Sequence, residues 1–193
     1  MNIGVIACGA IATHVASIQS LRNLDLTIYP LPPLLHNQPA KIAGEVETLL
    51  MEIKDKHSKI VVAYADCGTY GALDAVIVRY GIKRLGGNHC YDIFAGEKEI
   101  ASIMEKDAGT YFLTDFLVKS FQRSVMVELG LAKHPELRDD YFQHYNKVIW
   151  LAQNPTPELE KLAREAASLI QLPLEIQVVG ETGLEKQLLE LLS

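Results

Sequence analysis

Short apolar runs of strand length alternate with longer stretches that carry one apolar stripe, and this alternation persists over most of the chain. Residues 2–7, 24–31, 59–64 and 82–85 read as the first four strands, rich in Ile, Val and Leu. Between them, residues 10–21 place Ile11, Val15, Ile18 and Leu21 on one face. Residues 41–57 do the same with Ile42, Val46, Leu49, Leu50 and Ile53, leaving Glu45, Glu47, Lys54 and Lys56 on the wet side. A helix over 71–80 ends before Gly81, and another is expected over 91–104. Residues 109–113 fit either a fifth strand or the start of the next helix. Residues 114–145 read as helix after helix, a candidate helical cap. Strands over 147–152 and 174–179 follow, separated by a helix that Thr156-Pro157 opens, and Thr182-x-x-Glu185 is a capping box for the last helix.

The pattern predicts one α/β domain over 1–193: an open, mostly parallel, doubly wound sheet with helices on both faces. The first four strands are expected in the order 2-1-3-4. With 193 residues and 49% apolar content the chain has material for a sizeable core. A net charge of −6 without a basic block argues against a nucleic-acid surface. No apolar run is long enough to span a membrane, and the chain starts in a strand without a signal-peptide pattern, so a cytoplasmic location is expected.

Three cysteines stand at strand exits: Cys8 after the first strand, Cys67 after the third, and Cys90, with His89 beside it, after the fourth. In doubly wound sheets ligands bind beyond the carboxyl ends of the strands. Neighbouring strands lie about 4.8 Å apart, so thiols on adjacent exits can reach a common centre. His36, in the proline-stiffened loop after the second strand, is expected to face the same pocket. Thiolate and imidazole suit zinc or an iron–sulfur cluster, which makes Cys8, Cys67, Cys90, His89 and His36 the candidate ligands. Gly9, Gly68 and the Gly86-Gly87 pair let backbone approach such a centre closely, and Tyr70 stands beside it.

Each of these residues has a plainer reading. A free cysteine is usually a small buried hydrophobe. Asp66 and Asp92 could orient a ligand or serve as acid–base groups, and equally could cap helices. Tyr64, Tyr70 and Tyr91 could line a pocket or fill the core. His134, Arg138, Asp139, Asp140 and His144 read as a solvated helix face. The first strand–helix turn, A-C-G-A-I-A, lacks the glycine pattern of a dinucleotide site, and prolines stand where its acid would be, which excludes NAD.

Several longer motifs remain: A-C-G-A at 7–10, P-x-x-L-H-N-x-P at 32–39, D-C-G-T-x-G at 66–71, H-C-Y-D-x-F-A-G at 89–96, G-T-Y-F-L-T-D-F at 109–116, H-P-E-L-R-D-D-Y-F at 134–142 and L-A-Q at 151–153. Together they resemble an uncharacterised family catalogued as domain of unknown function 1638. Members of that family often lie near genes for corrinoid-dependent methylamine methyltransferases. The resemblance therefore implies one-carbon metabolism, with a small molecule or a methyltransferase or corrinoid protein as partner. Three functions follow as expectations. One is a metal or cluster protein serving methyl transfer. Another is a metal-free cysteine-dependent enzyme of the racemase or isomerase kind. The last is a binding subunit that uses the 114–145 helices.

Overall fold

The computed structural model describes residues 2–193. The expected mixed α/β architecture with open parallel strand pairing is present, but in place of one sheet there are two, each of three strands. One compact unit runs up to Ile93 and takes back Thr182–Ser193; the other is Phe94–Glu181.

In the first unit, β1 (Ile3–Cys8), β2 (Leu26–Leu31) and β3 (Lys59–Ala63) form a parallel sheet in the order β2-β1-β3. The expected fourth strand is reduced to a parallel bridge between Arg84 and Val62, flanked by Val62 N–H to Lys83 O (3.0 Å) and Leu85 N–H to Val62 O (3.0 Å). It lies on the far side of β3, so the order 2-1-3-4 holds. The chain moves out from β1 to β2 and then back past β1 to β3. That reversal puts the two right-handed crossovers on opposite faces of the sheet.

Those crossovers are α1 (Ala12–Arg22) and α2 (Pro39–Ile53), the latter entered through a 3₁₀ turn over Pro33–Asn37. Helix α2 starts with proline, whose missing N–H costs nothing at a first helical position, and it buries the expected stripe Ile42, Val46, Leu50 and Ile53. Helix α1 stops at Asn23, in the left-handed region at φ 50°. Helix α3 (Ala72–Arg79) packs beside α2, and the last helix, α9 (Thr182–Leu192), beside α1. Glu185 of the expected capping box pairs with Arg22 of α1.

The expected helix over 91–104 is two helices, α4 (Cys90–Ala95) and α5 (Glu97–Lys106). Gly96 at φ 90° breaks them, a conformation outside the helical region that glycine adopts without strain.

In the second unit, residues 110–114 are a strand, so β4 (Thr110–Thr114), β5 (Lys147–Ala152) and β6 (Leu174–Val178) form a second parallel sheet in the order β4-β5-β6. The strands advance in one direction, so right-handed crossovers place their helices on one face. Accordingly α6 (Asp115–Phe121) packs against α8 (Pro157–Leu169). Helix α6 continues as a π-helical turn over Gln122–Val127, and a short 3₁₀ turn leads into α7 (Arg138–Phe142). The 114–145 segment is thus not a separate cap. Its Val118, Phe121, Val125, Leu131 and Phe142 share one core with Val148 and Trp150 of β5 and with Leu159, Ala163 and Ala167 of α8. Among the described residues, no helix is long and apolar enough to cross a membrane.

Candidate thiol site at the strand exits

All three cysteines are free thiols on the carboxyl edge of the first sheet. Cys8 ends β1 and is buried, while Cys67 and Cys90 are half-buried. The loops that carry Cys67 and Cys90 are stitched together beyond the sheet. Asp66 N–H donates to Gly87 O (3.1 Å) and Cys67 N–H to Asn88 O (2.7 Å), so strand-like pairing outlasts β3. Arg84 tightens the same corner. Its guanidinium forks onto Asp74 of α3 at 2.7 and 3.0 Å and donates to the carbonyls of Leu85 (2.7 Å) and Gly87 (3.3 Å).

The two carboxylates expected as acid–base groups hold these loops in shape. Asp66 accepts from Thr69 Oγ1 (2.6 Å), Gly71 N–H (3.0 Å) and Tyr70 N–H (3.1 Å). Burial would raise its carboxyl, but the hydrogen bonds from Thr69, Gly71 and Tyr70 and the charge of Arg84 hold it below the usual range. Asp92 is buried, and its Oδ2 accepts from Asn88 N–H (2.8 Å) and His89 N–H (2.9 Å), the cap of α4. Within the Asp66 loop, Cys67 and Tyr70 both adopt φ 51°, a left-handed conformation that non-glycine residues rarely take. Strain of this kind collects at functional sites and persists only where the surroundings over-determine it, as the three hydrogen bonds to Asp66 do here.

Two of the glycines named from the sequence are needed for different reasons. A Cβ on Gly9 would lie 2.5 Å from Leu31 O and 2.9 Å from Pro33 Cα, whereas Gly68, with Pro39 at an ordinary 3.5 Å, is required by its φ of 81°. The exits of β1, β2 and β3 therefore close on one another. His36 is half-buried in the 3₁₀ turn after β2. Its ring binds the Pro33 carbonyl through Nδ1 (2.7 Å), which places the proton there and leaves Nε2 as the unprotonated nitrogen. Burial lowers the His36 pKa, opposed by that hydrogen bond. His89 is exposed and its ring lies 4.8 Å from that of Tyr91. Tyr70 is 96% exposed at the tip of the Cys67 loop.

Tyr64, one residue beyond β3, completes the site. Its side chain is fully buried, and its hydroxyl has no hydrogen-bond partner among the described residues. Burial first, then Cys8, Cys67 and Cys90, push the phenol far above its ordinary range. The sequence offered Tyr64 as pocket lining or core; it is core.

The thiols resist ionisation together. Burial raises Cys8, opposed by backbone N–H groups of Ala10 and Ile11 and by the Tyr64 hydroxyl. Burial and then the neighbouring charges of Cys90, Cys8 and Asp66 raise Cys67. Burial and then Cys8 push Cys90 up to about 12. An acid whose folded pKa is raised stabilises the fold only while the unfolded chain also keeps its proton. Above pH 9.0, the ordinary thiol value, the unfolded chain sheds the Cys90 proton and the folded chain holds it until about 12. Stability of the metal-free protein should therefore fall across that window, by up to about 1.4 kcal/mol per pH unit for each thiol. Urea denaturation at several alkaline pH values, on the native protein and on Cys90→Ser, checks this. Equal slopes for the two proteins would contradict it.

Among the described residues, no three His, Cys, Asp or Glu side chains are gathered closely enough to hold a single metal ion.

These features define a two-sheet, mixed α/β protein with three free thiols at the strand exits of one sheet. The family model described as "Protein of unknown function (DUF1638)" matches residues 30–188, and the chain belongs to that family. His36, Cys67, His89 and Cys90 lie inside the matched stretch and Cys8 precedes it. No curated protein and no solved structure matches the chain.

Proposed function

We propose that Cys8, Cys67 and Cys90 hold a metal centre, an iron–sulfur cluster in preference to a single zinc ion. The observation that carries this reading is three free thiols at three adjacent strand exits of one sheet, all of them acting on the buried Tyr64 hydroxyl. Thiols that raise one another's pKa become thiolates together only against a positive centre. Among the described residues no three donors are gathered at one point, and a cluster, which takes its ligands over several ångströms, asks less of a single point than one ion does. Three cysteines leave one iron of a four-iron cluster open, with His36 or His89 as the candidate fourth ligand. An open metal position agrees with the methyl-transfer chemistry that the family resemblance implies, where it would meet a thiol substrate or a corrinoid protein.

The test is iron, zinc and acid-labile sulfide analysis, with an absorption spectrum, on anaerobically purified protein. Iron and sulfide in equal amounts are expected, and both should be lost in the triple Cys→Ser variant. A variant that keeps its full metal content would end the proposal. Stoichiometric zinc would keep a metal centre and rule out the cluster.

A second reading, metal-free thiol chemistry, is favoured by the backbone N–H groups of Ala10 and Ile11 at the Cys8 sulfur, which stabilise a thiolate. Native protein free of metal, whose Cys8 alkylates ahead of Cys67 and Cys90, would support it.

A further inference from the structure

We propose that, independently of the thiol site, β6 is a self-association edge. Two copies of the chain pair β6 with β6, antiparallel about a two-fold axis at Ile176, and so join two three-stranded sheets. Among the described residues β6 pairs with β5 alone. Val148 N–H donates to Pro173 O (2.8 Å), and Val179 N–H donates to Ala152 O (2.9 Å). This parallel register spends the N–H and C=O groups of Glu175 and Gln177 on β5 and turns those of Leu174, Ile176 and Val178 outward. Nothing in the sequence of the edge blocks further pairing. The edge strand β2 of the first sheet carries Pro30, whereas Leu174–Val178 holds no proline, glycine or lysine. The residues of β4, at the opposite edge, are nearly all buried. Ile176 is 38% exposed and Val178 67%, although their register partners Trp150 and Ala152 are fully buried. The apolar face thus runs out to the β6 edge and is left open there.

The sequence of β6 selects a second copy as the occupant. Read antiparallel about Ile176, L-E-I-Q-V sets Leu174 opposite Val178, Ile176 opposite its own equivalent, and Glu175 opposite Gln177. Every outward-turned residue then faces another, and each such pair exchanges two backbone hydrogen bonds. Apolar side chains meet apolar side chains on one face, and on the other a carboxylate meets an amide instead of a like charge. A slip of one residue sets outward groups against spent ones. A slip of two brings Glu175 against Glu175 in one direction and, in the other, sets Leu174 against Gly180, whose φ is 66°. Two-fold pairing closes on itself and gives a dimer, not a filament. One strand pair buries area at the low end for a specific interface, so the dimer is reversible and depends on concentration.

The test is sedimentation equilibrium of the full chain over about 1 to 500 µM, with circular dichroism as the check on folding. A monomer–dimer equilibrium is expected for the native protein. Val178→Lys places a charge on the open edge and should be monomeric throughout, with an unchanged spectrum because the site is exposed. The charge of residue 177 should set the affinity with a sign. Gln177→Lys faces Glu175 of the second copy and should tighten the dimer, and Gln177→Glu should weaken it. Two such cross-strand pairs amount to roughly 2- to 30-fold in each direction at low salt. Both shifts should shrink as salt is added. A native chain that stays monomeric over the whole range would overturn the proposal. So would a dimer that folded Val178→Lys leaves intact, or two Gln177 variants that move the equilibrium the same way. If Val178→Lys does not fold, the Gln177 pair decides. Assembly beyond the dimer would overturn the two-fold arrangement.

Discussion

Asp115→Ala is expected to be the most damaging single substitution outside the thiol site. Asp115 opens α6 at the carboxyl end of β4 and is 1% exposed. One of its oxygens accepts from Trp150 Nε1 (2.9 Å) and Gln153 N–H (3.0 Å), and the other from Asn154 N–H (2.8 Å). Gln153 answers with its own carbonyl oxygen on Asp115 N–H (2.8 Å) and donates its amide to Leu151 O. Alanine would leave three N–H groups without an acceptor, each at about 1–3 kcal/mol when buried; Asn154 is exposed and its N–H can turn to water, so the total is roughly 3–5 kcal/mol. In a chain of this size that is a fall of about 10 °C or more in melting temperature. The chain has one tryptophan, so fluorescence reports on this site directly, with circular dichroism for the rest. Asp115→Asn keeps one acceptor oxygen but turns an N–H₂ toward a donor, and should fall in between. A loss below about 1 kcal/mol for Asp115→Ala would show that the network does not hold the β4–β5 edge.

Gly87→Ala should damage stability and site together. Gly87 sits at φ 89°, and a Cβ there would lie 2.8 Å from the Asp92 Cβ. The left-handed backbone costs an alanine about 1–2 kcal/mol, and overpacking adds about 1–3 kcal/mol. Relief requires Asp92 to move, which frees the Asn88 and His89 N–H groups and shifts the start of the helix that carries Cys90. The control is Gly81→Ala: its φ is 65°, but nothing lies within 4 Å of the new Cβ, so it carries the backbone cost alone. Denaturation curves and metal content of both variants decide the matter. If Gly87→Ala is no worse than Gly81→Ala in either, the Gly87–Asp92 contact does not organise the loop.

The first sheet was legible because buried parallel strands are continuous apolar runs, and 3–7 and 59–63 have no helical reading. The order β2-β1-β3 is the doubly wound default for alternating strands and helices, and handedness does not set it by itself, since the second sheet runs β4-β5-β6. The second sheet was harder. Residues 109–116 place a strand, an N-cap threonine and an aspartate in immediate succession, so strand and helix signals overlap at Thr114, whose hydroxyl caps Leu117 N–H. The break at Gly96 was invisible because apolar residues keep helical spacing across it, Ile93 on one side and Ile100, two turns on, on the other.

At the site, the three exits could be named from sequence, since a thiol after an apolar run is a local signal. The partners of Asp66 and Asp92 could not, because both carboxylates are used up on backbone N–H groups that carry no sequence signature. Asp115 had a signal that went unused, an acid directly after a strand in T-D-F. Its three donors come from residues 35 to 39 positions away.

The return of α9 to the first unit sets an order of events during synthesis. The second unit, Phe94–Glu181, is complete before the ribosome makes the residues that finish the first. Until Thr182–Leu192 emerges, α1 lacks the helix beside it, Arg22 lacks Glu185, and Gly86 N–H lacks the Gln187 side chain that accepts from it at 2.8 Å. Gly86 begins the turn that leads to Cys90. The inner part of the chain can thus mature first, while the thiol-bearing part lacks its closing helix until the whole inner unit has been made. Any cofactor destined for the strand exits would meet a finished site only after that point, as a late and separate step in the life of the protein.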